Sequence, residues 1–153
     1  MAEGDGFIYN NFKETLMNGV YNLASGGDTI KCTLHTSYTP NIDAAHSVWA
    51  DTGVSTTEYG TASGYTAGGK TLGSQATSQD DTDDEGVFDA ADAAWTSLGA
   101  LSPATPGHTI VWDDTPTTPQ ADPLMCYFVL GTTATNGGDY TLQFGAEGII
   151  NLT

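Results

Sequence analysis

The sequence predicts a mainly β fold: a single-domain antiparallel β-sandwich or barrel-like arrangement with one N-terminal α-helix. Three observations predict it. Hydrophobic residues make up 39% of the chain and charged residues only 14%, so Ser, Thr, Gly, Asn and Asp supply the polarity. Thr suits a half-buried pleated surface, while Gly, Asn and Asp suit tight turns. The apolar period changes from 3.6 near the N-terminus to 2 beyond it, and strand-like runs then recur about every ten residues. No linker or internal repeat divides residues 1–153, a length of about one domain.

The helix is predicted within Phe7–Ala24. Phe12, Leu16 and Val20 fall four apart and Leu23 three further on, which places them on one face. Ser25-Gly26-Gly27 is read as the stop, as glycine is at a helix C-terminus. The β region then runs from about residue 28 to 153. In Asp28–Tyr38, Ile30, Cys32 and Leu34 alternate with Lys31, Thr33 and His35, the pattern of a strand with one wet face. Thr39-Pro40-Asn41 breaks it. Residues 41–69 read as a long Gly/Ser/Thr-rich region, with a turn of helix at His46–Trp49 and a short strand at Val54–Tyr59.

Lys70–Gln79 alternates weakly, and Asp80–Gly86 reads as an acidic turn. Val87–Ala90 and Ala93–Leu98 are short strand candidates. Gly107–Trp112 and Pro123–Leu130 are stronger ones, separated by a loop at Asp113–Asp122 that holds Pro116 and Pro119. Asn136-Gly137-Gly138 signals a turn. Tyr140, Leu142 and Phe144 alternate before a last strand at Ile149–Leu152.

Charge narrows the function classes. Lys13, Lys31 and Lys70, with no arginine, face 19 carboxylates for a net charge of −16. A nucleic-acid partner is not expected, because phosphates are neutralised by Lys or Arg. Anionic membrane surfaces are disfavoured for the same reason. No run of about 18 apolar residues occurs that could span a bilayer as a helix. MAEGDGFIYNNF lacks the basic and apolar regions of a signal peptide, so the mature chain is expected to start at or near Met1. A solvated acidic exterior, or docking on a basic protein surface, remains.

No catalytic residue is assigned, and no enzymatic activity is expected. His35, His46 and His108 lack metal-ligand spacing, and no G-x-S-x-G occurs. The glycine-rich segment ending Gly69-Lys70-Thr71 echoes a phosphate-binding loop. It leads into a predicted strand, however, and not into the helix N-terminus that would cradle a phosphate. Asp81, Asp83, Glu85 and Gly86 match the start of a D-x-D-x-D-G calcium loop, with Asp92 at the closing position. The flanks read as strands and Asp92 is shorter than the usual Glu, so an acidic hairpin turn is expected and no metal or cofactor is assigned. Cys32 and Cys126 read as buried free thiols; a disulfide would need neighbouring strands at suitable Cα spacing. Trp49, Tyr59, Tyr65, Trp95, Trp112 and Tyr127 could line a sugar site, but core packing is the commoner use of such rings.

Six blocks, TIKCTLHTSYTPNID, GYTAGGKTL, FDAADAAWTSL, TIVWDDTP, PLMCYFVLG and GGDYTLQFGAEGIINL, follow one another between about Phe12 and Leu152. In this order they resemble a group of small tailed-phage virion structural proteins. The resemblance implies a virion component, expected to be a capsid decoration (cement) protein. Such a protein would be made in the host cytoplasm, bind the major capsid protein on the outer capsid surface and stabilise the shell. It could also associate with itself, for example as a trimer. The alternative is a receptor- or glycan-binding component of a tail or head fibre, or another tail or neck structural protein. The resemblance carries over no site residues.

Overall fold

The computed structural model describes residues 6–36, 46–62, 64–99, 101–116, 119–131 and 133–153. It is mainly β and sandwich-like, with three antiparallel sheets and an N-terminal helix. In chain order the elements are β1 (Gly6–Ile8), α1 (Asn10–Met17), β2 (Ile30–His35), a 3-10 turn (Ser55–Thr57), β3 (Lys70–Thr71), β4 (Ala76–Asp80) and β5 (Glu85–Asp89). There follow β6 (Ala93–Trp95), β7 (His108–Asp113), β8 (Leu124–Val129), β9 (Tyr140–Leu142) and β10 (Ile150–Leu152). The largest sheet has the order β1-β8-β7-β2-β3; the others are β10-β5-β4 and β6-β9.

The helix is shorter than its periodicity predicts. Phe7 and Ile8 belong to β1, paired with Tyr127 and Cys126 of β8. At the other end Gly19, at φ +68°, closes a Schellman turn. Its N–H donates to Leu16 O at 3.0 Å, and the Val20 N–H donates to Thr15 O at 3.2 Å. Gly19 therefore stops the helix, eight residues before Gly27. Phe12 is wholly buried and Leu16 partly so, whereas Val20 and Leu23 lie beyond the helix.

The expected wet face of β2 is also corrected. Ile30, Cys32 and Leu34 are buried as the alternation predicts, but Thr33 and His35 on the opposite face are fully buried too. The cover comes from residues 46–57. Trp49 stacks on Trp112 with centroids 4.7 Å apart and meets His35 edge-on, while Thr57 Oγ1 lies 3.1 Å from His35 Nδ1. The ring of Tyr127 on this same face stacks on Phe7 at 5.2 Å. On the other face Gly6, Ile8, Cys126 and Phe128 line a cleft with residues 148–151, which sets the β10-β5-β4 sheet against it. β2, β7 and β8 are thus central in a sandwich, and burial on both faces explains their near-continuous apolar runs.

Smaller differences follow from local hydrogen bonds. Val54–Tyr59 is not a strand: it makes the 3-10 turn, after which Glu58 forms a single bridge to His35. His46–Trp49 is extended rather than helical, because Val48 bridges Pro123 and the Asp51 carboxylate accepts the N–H groups of Ser47 and Val48 at 2.6 and 2.9 Å. Lys70–Gln79 splits into β3 and the start of β4. The Thr39-Pro40-Asn41 break lies outside the described residues. Asp80–Gly86 does turn a hairpin between β4 and β5, with Asp84 at φ +57°.

Candidate interaction surface

An apolar groove opens where α1 lies beside the β10-β5-β4 sheet. Its volume is about 180 Å³, and Phe12, Leu16 and Leu23 line one side, with Val87, Phe88, Ile150 and Leu152 on the other. Thr77, Ser78 and Gly86 complete the wall. Leu152 is 39% exposed, and Met17 at the end of α1 is 82% exposed. No ionisable side chain lines the groove. Gly86 also belongs to the adjoining cleft formed by Gln79, Asp80, Asp81, Asp84 and Glu85, so the acidic hairpin borders the apolar surface.

The hairpin satisfies itself. Asp80 Oδ1 accepts the Thr82 N–H at 2.8 Å, and these backbone donors hold its carboxyl below the usual range. Glu85 Oε1 accepts Asn151 Nδ2 at 2.9 Å; partial desolvation and the nearby Asp83, Asp80 and Glu147 raise its carboxyl. Asp92, which would close a calcium loop, instead accepts the Phe144 N–H at 3.0 Å. The structure therefore does not bring the D-x-D-x-D-G residues and Asp92 together as a calcium loop would. Among the described residues, no group of three His, Cys, Asp or Glu side chains is placed to hold a metal ion.

Gly64–Thr71 has the full G-x-x-x-x-G-K-[ST] spacing, but its backbone does not form a phosphate loop. Here the chain supplies its own anion. Glu58 Oε1 accepts the Gly68 N–H at 2.7 Å and the Tyr65 hydroxyl at 2.8 Å, and Gly69 N–H adds to the cradle. Burial raises the Glu58 carboxyl, and these donors oppose the rise. A side chain at Gly69, whose φ is +73°, would collide with Cys32 O. No helix follows: Lys70 opens β3, and its Nζ donates to Ala94 O.

His35 and His108 face each other in the β2–β7 register. His35 is held between Thr33 Oγ1 (2.8 Å from Nε2) and Thr57 Oγ1. Burial, and then the proximity of His108, pull its pKa down to about 3, and burial also lowers His108. These are neutral imidazoles inside a sandwich. His46 is buried at 8% exposure. Cys32 and Cys126 are free buried thiols, both paired with Val111 of the intervening strand. Two strand spacings put them about 10 Å apart, too far for a disulfide. Burial raises the Cys32 thiol to about 12 and pushes Cys126 up as well.

Of the six rings that could have lined a sugar site, Tyr59, Tyr65, Trp95, Trp112 and Tyr127 are buried and Trp49 is half-buried against Trp112. The groove itself was not identified from sequence. The helix-period stripe pointed to Phe12, Leu16 and Leu23, but Leu152 and Val87 reach them only through the β5–β10 pairing.

No family model, curated protein or solved structure matches the chain.

Proposed function

We propose that this chain is a structural component of a tailed-phage virion, and specifically a decoration protein on the outer capsid surface. The observation that carries the reading is the apolar groove bordered by the acidic hairpin. An interface with a desolvated apolar centre and a charged rim is how protein surfaces dock specifically. A chain of net charge −16 suits the outside of the shell, away from packaged DNA. The ordered blocks from Phe12 to Leu152 that resemble virion structural proteins point the same way. The role is mechanical: the protein bridges capsomers once their joints have their final shape, and binding only the assembled shell stabilises it by linkage, by about 3 kcal/mol per site at a hundredfold excess over Kd.

The test mixes labelled protein with expanded undecorated capsids, immature procapsids and host cells. Binding to expanded capsids, poor binding to procapsids and greater shell resistance to heat are expected. Leu152→Asp, which charges the groove at an exposed position, should weaken capsid binding at least tenfold while the free protein melts as the parent does. Adhesion to cells without capsid binding would overturn the reading in favour of a receptor- or glycan-binding fibre component.

A further inference from the structure

Two carboxyl groups meet where the loop before β2 crosses the end of β7. Asp113 is the last residue of β7, pairs with Ile30 and is wholly buried. Backbone bonds fix the crossing: the Asp114 N–H donates to Thr29 O at 2.9 Å, and the Thr29 N–H donates to Thr115 Oγ1 at 2.5 Å. The Asp28 side chain is thereby brought to Asp113, and the two carboxyls hydrogen-bond each other. Thr115 adds its N–H, 2.9 Å from Asp113 Oδ1, and its hydroxyl.

An ionised carboxylate only accepts hydrogen bonds, so the bond between these two needs a proton on one of them. No lysine stands in for it. Lys31 pairs with Asp114 at 2.6 Å and lies over the Trp112 ring, and strand alternation places it on the face opposite Asp113. Asp122 belongs with that outer group, since Asp114 and Lys31 act on it. Lys70 is engaged at Ala94, and Lys13 is exposed on α1. On the Asp113 side, Cys32 is a neutral buried thiol, and burial keeps Tyr21 neutral with its hydroxyl 2.9 Å from Thr15 Oγ1. Ionising both aspartates beside each other is therefore strongly unfavourable. Burial, with Asp28 beside it, raises the Asp113 carboxyl to about 7, so Asp113 is the member that holds the proton.

Asp28 also ties together the segment before β2. Its Oδ2 accepts the Asn22 N–H at 2.6 Å, its own N–H donates to Asn22 O at 2.8 Å, and its carbonyl accepts Gln75 Nε2 at 2.9 Å. We propose that Asp113 and Asp28 share one proton and form a pH-operated latch, which holds residues 22–28 against the sandwich while the proton is bound and loosens them when it leaves. Proton loss sets two like charges against each other, and the Asp28 side moves because a loop carries it. Leu23 moves with that loop, so the latch also sets one wall of the apolar groove. The unfolded chain releases the proton near 3.8 and the folded chain near 7. The stability it contributes is therefore fully present below about pH 4 and is lost as pH rises through 7.

The experiment compares the full chain with Asp113→Asn and Asp28→Asn between pH 5 and pH 8. Asp113→Asn keeps the bond to Asp28 without a charge, so it should melt about 3 °C above the parent at pH 8, and this advantage should be lost by pH 5. His35 is common to both chains, so its titration cancels in the difference. In the parent, the Asp113 carboxyl carbon should titrate near pH 7 by NMR, and Asp28→Asn should lower that midpoint by about one pH unit or more. Amide exchange at Gly27 and Asp28, corrected for the intrinsic rate, should lose about tenfold in protection from pH 6 to pH 8 in the parent and none in Asp113→Asn. The proposal is overturned if Asp113 ionises near pH 4 in the parent or if Asp28→Asn leaves its midpoint unchanged. Equal protection of Gly27 and Asp28 at both pH values in the parent overturns it as well.

Discussion

The hairpin at Asp80–Glu85 and the Asp28–Asp113 pair are both acidic, and they behave as opposites. The hairpin concentrates five acids within six residues, yet its side chains stand in water or accept local N–H groups. The pair has only two acids, but Asp113 is wholly buried, and burial, with Asp28 beside it, raises its carboxyl to about 7. Water screens the first arrangement, so each charge there costs little. The interior amplifies the second, so its state matters to the fold. Enclosure, rather than the number of carboxylates, makes an acidic group consequential.

The rule is tested most strongly at the other end of the β2–β7 ladder, where the enclosed group is a base. His35 is fully buried and its pKa falls from 6.5 to about 3, so the fold holds it neutral while the unfolded chain protonates. Its contribution is fully present above about pH 6.5 and is lost as pH falls toward 3, on the order of 4 kcal/mol in all. Denaturant melts between pH 7 and 4 should show this loss, and the His35 ring resonances should stay neutral down to about pH 4. A ring that protonates near pH 6 would break the comparison, because the covering loop would then admit water.

A smaller effect is expected at Glu58. Glu58→Ala leaves the Tyr65 hydroxyl and the Gly68 N–H without their acceptor, while the Gly69 N–H keeps Thr66 O. Half-buried donors lost in this way should cost about 2 kcal/mol in urea unfolding, and Glu58→Gln should recover part of it. Full stability in the alanine variant would show that solvent serves the glycine segment as well as the carboxylate does.

Asp113→Asn should act in the opposite direction. It removes an enclosed charge beside Asp28 while keeping an oxygen for the Thr115 N–H, so the protein should gain about 1 kcal/mol at pH 8. Melting at pH 8 measures it. A clear loss of stability would place Asp113 in a network as well satisfied as that of Glu58.

These contrasts were only partly legible in the sequence. Alternation located β2 within three residues, and apolar runs bounded by turn residues located β7, β8 and β10 within one. The wet face assigned to Thr33 and His35 failed because Trp49 and Thr57, distant in sequence, close over them. Helix length failed at Gly19, where a Schellman turn needs one residue at positive φ and the apolar stripe outlasts the helix. Leu16 and Leu23 do pack against the core as the stripe predicts, but Leu23 does so from a loop. Asp28 and Asp113 carried no signal, since 85 positions separate them and only the Ile30–Asp113 pairing brings them together. The hairpin was legible because its charges are local, and local charges are the ones water neutralises.

The smallest expected effect on stability belongs to that hairpin, and it sharpens the comparison by separating stability from association. Asp81→Asn with Asp83→Asn removes two exposed charges that touch no buried group, so unfolding free energy should change by less than about 0.5 kcal/mol. The hairpin borders the groove at Gly86, however, and rim charges govern encounter more than the bound state. If a locally basic surface is the partner, the double variant should associate with expanded capsids several-fold more slowly at low salt. At about 0.5 M salt the difference should vanish, because the Debye length shrinks to about 4 Å. Dissociation should stay as in the parent, whereas Leu152→Asp should accelerate it. Stopped-flow or surface-based kinetics at two salt concentrations reads both rates. A double variant that dissociates faster but associates normally would place the hairpin inside the contact rather than at its edge.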